Sequence, residues 1–109
     1  MKLCVLLVIF GFSLVTASAQ RDELLVTMGQ LTVNGGVAEQ PLAVKNNSQR
    51  LVELLWIECG FLDANGLLIS EGIASLTDLA PGEIGYVSPK TPYGQNATRA
   101  ICRVSSVRP

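Results

Sequence analysis

The longest apolar stretch of the chain, residues 51–62, reads LVELLWIECGFL and is followed directly by DANG at residues 63–66. Its aromatic and β-branched residues favour a strand over a helix. Asn65-Gly66, at the end of DANG, is typical of a tight turn, because both residues tolerate positive φ. A further apolar run, residues 67–70, begins directly after this turn. The stretch therefore predicts a β-hairpin.

Short extended runs and turn residues alternate along the rest of the chain. Gly, Pro, Asn and Asp interrupt it at short intervals, which leaves no room for a long helix. The runs that we expect to be extended are 24–28, 31–33, 41–45, 51–62, 67–70 with a weaker continuation over 72–76, 84–88 and 97–104. Such a pattern predicts an all-β sandwich of about seven strands.

The first 19 residues have the three parts of a secretory signal peptide. Lys2 supplies a positive start, residues 3–15 are almost entirely apolar, and small residues precede an expected cleavage before Gln20. The apolar run is shorter than the about 20 residues that a membrane-spanning helix needs. We therefore expect residues 1–19 to be removed, leaving one domain over residues 20–109 that is periplasmic or secreted and has no transmembrane span.

Export would leave two cysteines, Cys59 and Cys102, in an oxidising compartment. An even pair in such a compartment predicts a disulfide, and two cysteines allow only one pairing. Closing this loop would stabilise the domain by about 4 kcal/mol through chain entropy. A redox or metal-binding pair is the alternative, but the spacing is not C-x-x-C and the chain has no histidine to complete a metal site.

The composition argues against several classes of function. Eight basic and nine acidic residues give a net charge of −1, and aromatic residues make up 6% of the chain, which does not suit a nucleic-acid binder. The absence of histidine removes the usual general base. Glu58 and Asp63, as a carboxylate pair, would point to opposite faces of a strand. We expect no catalytic, cofactor-binding or metal site, and we interpret residues 63–66 as a turn in preference to a calcium loop.

The strand over residues 51–62 does not alternate between apolar and polar residues, so both of its faces are apolar. A disulfide in a sandwich usually lies inside, which predicts that the odd-numbered face, with Cys59, is turned to the core. Leu54 and Trp56 would then point outward. A loop or residues 72–76 could cover them, or they could form a contact surface for a partner.

Three short segments resemble the FxLYD-type family of exported bacterial immunoglobulin-like domains. They are VKNNS at residues 44–48, CGFLD at residues 59–63 running into ANG, and LAPGE at residues 79–83. The resemblance covers about residues 42–104. It implies a small immunoglobulin-like β-sandwich that acts as a binding or structural module, with no catalytic motif to transfer.

The function that these observations favour is an exported, non-enzymatic binding or envelope-associated module. We expect it to meet a protein partner of the cell envelope through a sheet face or edge, and to bind no nucleic acid. A small secreted hydrolase or inhibitor, or a structural accessory subunit, is the alternative. Leu54 and Trp56 are the predicted partner-binding residues.

Overall fold

The computed structural model describes residues 23–109, so the predicted signal peptide and its cleavage site lie outside the described residues. Nine strands form three antiparallel sheets, with the orders β1-β4-β7, β2-β3-β8 and β6-β5-β9. The part of the chain that is described contains no helix with the length and apolar character needed to cross a membrane. The strands are β1 (Leu24–Met28), β2 (Thr32–Asn34), β3 (Val37–Glu39), β4 (Leu42–Asn46), β5 (Val52–Leu62), β6 (Leu68–Leu79), β7 (Ile84–Val87), β8 (Lys90–Thr91) and β9 (Arg99–Arg108).

The predicted all-β fold is confirmed, and residues 23–109 contain nine strands where about seven were expected. The two short strands β3 and β8 were not predicted. β3 follows a two-residue turn in which Gly35 and Gly36 have φ values of 59° and 82°, and it pairs with β2 on one side and β8 on the other. β8 lies between residues 84–88 and 97–104, which were expected to be extended, in a segment for which no strand was predicted. Strands this short carry little sequence pattern of their own and depend on the pairing partner that tertiary structure provides.

The predicted hairpin of β5 and β6 is confirmed, and β6 is one strand of 12 residues where a run over 67–70 with a weaker continuation over 72–76 was expected. In the turn between them, Asp63 Oδ1 accepts hydrogen bonds from the N–H groups of Asn65 at 2.9 Å and Leu67 at 3.0 Å. Gly66 has a φ of 80°, a conformation that favours glycine. The side chain of Asp63 therefore stabilises the turn.

The core lies between the inner face of the β6-β5-β9 sheet and the other two sheets. On β5 the odd-numbered residues Leu55, Ile57, Cys59 and Phe61 are buried, as predicted from the position of the disulfide. At the start of the stretch the prediction is wrong, because the even-numbered Val52 is buried in the core and Leu51 is exposed. Leu42 and Val44 of β4 belong to the same core cluster. β8 crosses close to β6 at Gly72, where a Cβ atom would lie only 2.5 Å from the carbonyl oxygen of Lys90. Glycine is needed there because two backbones meet.

One buried polar side chain joins two of the sheets. Asn46, at the end of β4, is fully buried, and its Nδ2 donates to the carbonyl oxygens of Leu79 at 2.9 Å and Arg50 at 2.8 Å. Its Oδ1 accepts from the N–H of Ser48 at 2.9 Å and from the Ser48 hydroxyl at 2.6 Å. All the hydrogen-bonding positions of the amide are used, which offsets the cost of burying it. This network gives the VKNNS segment a structural role.

Candidate functional site

The predicted disulfide is confirmed and fixes the two strands on which the candidate site lies. Cys59 on β5 and Cys102 on β9 are paired directly opposite one another, 43 residues apart in sequence, with a Cα–Cα distance of 4.0 Å. The bond lies within one sheet, whereas in antibody domains it joins the two sheets. It therefore holds β9, a strand at the edge of the sheet, in register with the central strand.

The structure places Trp56 and Leu54 on the outer face of the same sheet. Trp56 is 38% exposed and Leu54 is half-buried. Residues 72–76 do not cover them, because this segment belongs to β6 and runs alongside β5, with Ser75 paired to Trp56. Their predicted outward direction agrees with the structure, while their role in binding a partner stays a prediction.

A groove lies further along the outer face, and its floor is Gly60, near the end of the central strand β5. Gly60 pairs with Glu71 on β6 and with Ile101 on β9. Because glycine has no side chain, a depression remains between the side chains of these two neighbouring residues. The groove has a volume of about 490 Å³. Its apolar lining comes from all three strands and consists of Leu62, Leu68, Ile73 and Ile101.

Charged side chains stand at the rim of this groove. Arg103 Nη2 lies 3.0 Å from Glu58 Oε1, and both side chains are exposed. Glu71 lines the opposite side. An apolar floor with a polar rim is the arrangement found at protein–protein contact sites. Such a groove can receive an aliphatic or aromatic side chain while its charged rim selects the orientation of the partner.

Sequence reasoning identified Trp56 but not the groove. Ile73 and Ile101 are distant from Trp56 in the sequence, and only the register of β6 and β9 brings them to the same face. The available signal was Gly60, because a glycine inside a strand often marks a place where another group approaches closely.

A second, polar depression lies at the β5–β6 turn. It has a volume of about 440 Å³ and is formed by residues 63–65 and 95–98. The Asp63 carboxylate on its border is already hydrogen-bonded to backbone N–H groups of the turn. Residues 23–109 hold no group of three or more His, Cys, Asp or Glu side chains placed to bind a metal ion. We therefore base the candidate site on the outer face of β6-β5-β9.

Comparison with known proteins supports the fold. No protein-family model matches the chain, and no curated protein matches it. A similar solved structure is the crystal structure of a DUF1425 family member from Shewanella sp. pv-4, with a TM-score of 0.56 and 19% sequence identity. The match covers 79% of this chain and 77% of the other. At this identity the likeness shows the fold alone. The described residues have the predicted all-β fold with the Cys59–Cys102 disulfide, and this fold is similar to that of the DUF1425 protein. The immunoglobulin-like and FxLYD-type assignments stay predictions.

Proposed function

We propose that this protein is an exported, non-enzymatic binding module of the cell envelope that engages a protein partner through the outer face of β6-β5-β9. The observation that carries the proposal is the exposure of Trp56, Ile73 and Ile101, which are 38%, 57% and 59% accessible on three adjacent strands. Single exposed apolar residues are common, but Ile73 and Ile101 line one groove, and Trp56 lies on the same face two residues along β5 from Glu58 at its rim. Several exposed apolar residues on one face are typical of an interaction site.

The chemistry of this face suits a protein partner. A partly exposed tryptophan offers a large contact area with little loss of side-chain entropy, and tryptophan is frequent among the residues that dominate binding energy. Further along the same face, the groove over Gly60 adds a depression, and the Glu58–Arg103 pair adds a polar rim between the groove and Trp56. Buried anchor residues within a polar border are the usual anatomy of an interface.

The face is also rigid. Its residues lie on strands and not on loops, and the disulfide fixes β9 against β5. A surface that is ordered before binding loses less conformational entropy when the complex forms. This rigidity supports recognition of one defined partner surface.

Export and the lack of catalysis are parts of the same proposal. The signal-peptide pattern of residues 1–19 supports export. A chain without histidine lacks the most common general base, which supports a non-enzymatic role. The resemblance to FxLYD-type domains of exported bacterial proteins is consistent with both.

Site-directed photo-crosslinking in intact cells would test the proposal. A photoreactive amino acid in place of Ile73 should form a crosslink to a partner protein of the envelope. The same amino acid in place of Tyr86 is the matched control, because Tyr86 is 75% exposed on the outer face of the β1-β4-β7 sheet. Trp56→Ala should weaken the crosslink from position 73. Equal crosslinking from both positions, or none from position 73, would contradict the proposal.

A further inference from the structure

Strand β9 is an open edge of the β6-β5-β9 sheet. It runs over ten residues and pairs only with β5 among the described strands. The other outer strand, β6, is approached by both β7 and β8. An edge strand presents unpaired N–H and C=O groups on which another strand can form.

The core-facing side chains of β9 are less buried than those of β5. Cys59, Ile57 and Leu55 of β5 are almost completely buried, whereas their partners on β9, Cys102, Val104 and Val107, are only half-buried. All three β9 residues lie on the core side. One more strand beside β9 would cover their exposed part, provided that its inward residues are apolar.

The outer side of β9 is positively charged. Arg99, Arg103 and Arg108 lie along it, and the sequence of the strand contains no acidic residue. Arg103 contacts Glu58 through Nη2, and Arg108 lies 3.6 Å from Glu53. Each guanidinium has five N–H donors, so a second carboxylate can still bind. Like charges opposite one another destabilise strand pairing, which disfavours a second copy of β9 as the occupant and favours an acidic strand.

We infer that β9 is a docking edge for an extended segment of the partner protein in which apolar and acidic residues alternate. The apolar residues cover Val104 and Val107 on the core side, and the acidic residues meet Arg99 and Arg103 on the outer side. Main-chain hydrogen bonds provide the affinity and the alternating side chains provide the selectivity. This inference rests on the proposed function, because it names the chemistry of the partner at the border of the same face.

The register identifies the backbone groups that would bind the segment. The 4.0 Å Cα–Cα distance between Cys59 and Cys102 is that of a closely spaced antiparallel pair without mutual backbone hydrogen bonds. The N–H and C=O groups of Cys102, and of Ala100 two residues earlier, therefore point away from β5 to the open edge. Those of Ile101 and Arg103 point to β5.

Amide hydrogen exchange measured by NMR would test the inference on the disulfide-bonded protein. The probe is an acetylated and amidated ten-residue peptide that alternates valine and glutamate, and the control peptide has lysine in place of glutamate. At saturation the glutamate peptide should slow exchange of the Ala100 and Cys102 amides at least tenfold. The amides of Ile101 and Arg103, which already face β5, should change much less. The lysine peptide should produce no protection.

Charge-reversal variants give a second, independent measurement. Arg99→Glu should weaken binding of the glutamate peptide at least tenfold. Lys45→Glu is the control: it changes the charge by the same amount, but Lys45 is exposed on the outer face of the β1-β4-β7 sheet, so binding of the peptide should be unchanged.

The inference is overturned if the Ala100 and Cys102 amides show no protection, or if the two peptides bind equally. Crosslinking from position 73 that persists in Arg99→Glu, together with unprotected β9 amides, would refute the edge inference and leave the proposed function standing. No crosslink from position 73 when Arg99 is unchanged, together with protected β9 amides, would refute the proposed function of the face instead.

Discussion

The two faces of the β6-β5-β9 sheet both carry apolar residues, but only the inner one is covered by the other sheets. On the inner face Leu55, Ile57 and Phe61 are completely buried against the other sheets. On the outer face Trp56 and Ile101 are exposed, and the groove over Gly60 lies open. The difference shows that the apolar character of a strand does not by itself say which of its faces forms the core.

The difference between the faces also bears on the unusual sequence of β5. A strand with one solvated face normally alternates between apolar and polar residues, and a strand in contact on both faces does not. Within residues 23–109 the second contact for β5 is missing, since no described element covers the groove. A partner that covers the outer face would account for the pattern, and matched substitutions on the two faces should differ in their effect on stability.

The largest effect is expected at the disulfide on the inner face. Replacing both cysteines, as Cys59→Ala with Cys102→Ala, should lower the free energy of unfolding by about 4 kcal/mol, because the bond constrains a long loop of the unfolded chain. On the scale of a domain this small, each kcal/mol corresponds to roughly 4–8 °C in Tm. Thermal unfolding with and without reductant would measure the change. Two titratable thiols in the natively purified protein would contradict the prediction.

Two glycines of the same sheet offer a matched test of its faces. Gly72→Ala should lower the free energy of unfolding by about 1–3 kcal/mol, because the new methyl group would lie 2.5 Å from the backbone oxygen of Lys90. Gly60→Ala should change it by about 0.5 kcal/mol or less, because the nearest atom, at 2.9 Å, is Cδ1 of the exposed Leu68 side chain, which can move away. Urea unfolding of both variants would measure the two free energies of unfolding. Equal losses would mean that the outer face is as tightly packed as the inner one.

A smaller loss of stability is expected at Trp56. Because the ring is partly exposed, Trp56→Ala should cost about 1 kcal/mol, well below the about 3–5 kcal/mol of a core tryptophan. Its inner-face neighbour provides the control, since Leu55→Ala should cost about 2–5 kcal/mol. The chain has a single tryptophan, so quenching of its fluorescence reports its exposure directly. Emission that resists a soluble quencher, with a loss equal to that of Leu55→Ala, would make Trp56 a packing residue.

The smallest effect is expected at the ion pair on the rim of the groove. Glu58→Gln removes the negative charge that faces Arg103 Nη2 and should change the free energy of unfolding by about 0.5 kcal/mol or less, because both side chains are exposed and water screens the attraction. Unfolding at low and high salt should give nearly the same difference between variant and wild type. A loss above about 1 kcal/mol would show that the outer face contributes to folding as well as to binding.

Local patterns in the amino-acid sequence determined part of this protein by themselves. Two cysteines in the predicted mature chain allow one disulfide, and DANG specifies a tight turn. The two-residue period of a strand places Trp56 and Cys59 on opposite faces of β5. These properties depend on residues close together in the chain or on counting, so sequence alone was enough. Both the hairpin of β5 with β6 and the disulfide agree with these predictions.

The tertiary structure decided everything that depends on pairing between distant segments. The short strands β3 and β8 exist because a neighbour supplies hydrogen bonds, and the groove exists because Ile73 and Ile101 flank Gly60 in register. The open edge at β9 follows from the order of strands in the sheet, which residues 99–108 alone do not specify. The physical reason is the same in each case: the period of a strand fixes which side chains share its own face, but only the register between strands fixes which side chains become neighbours.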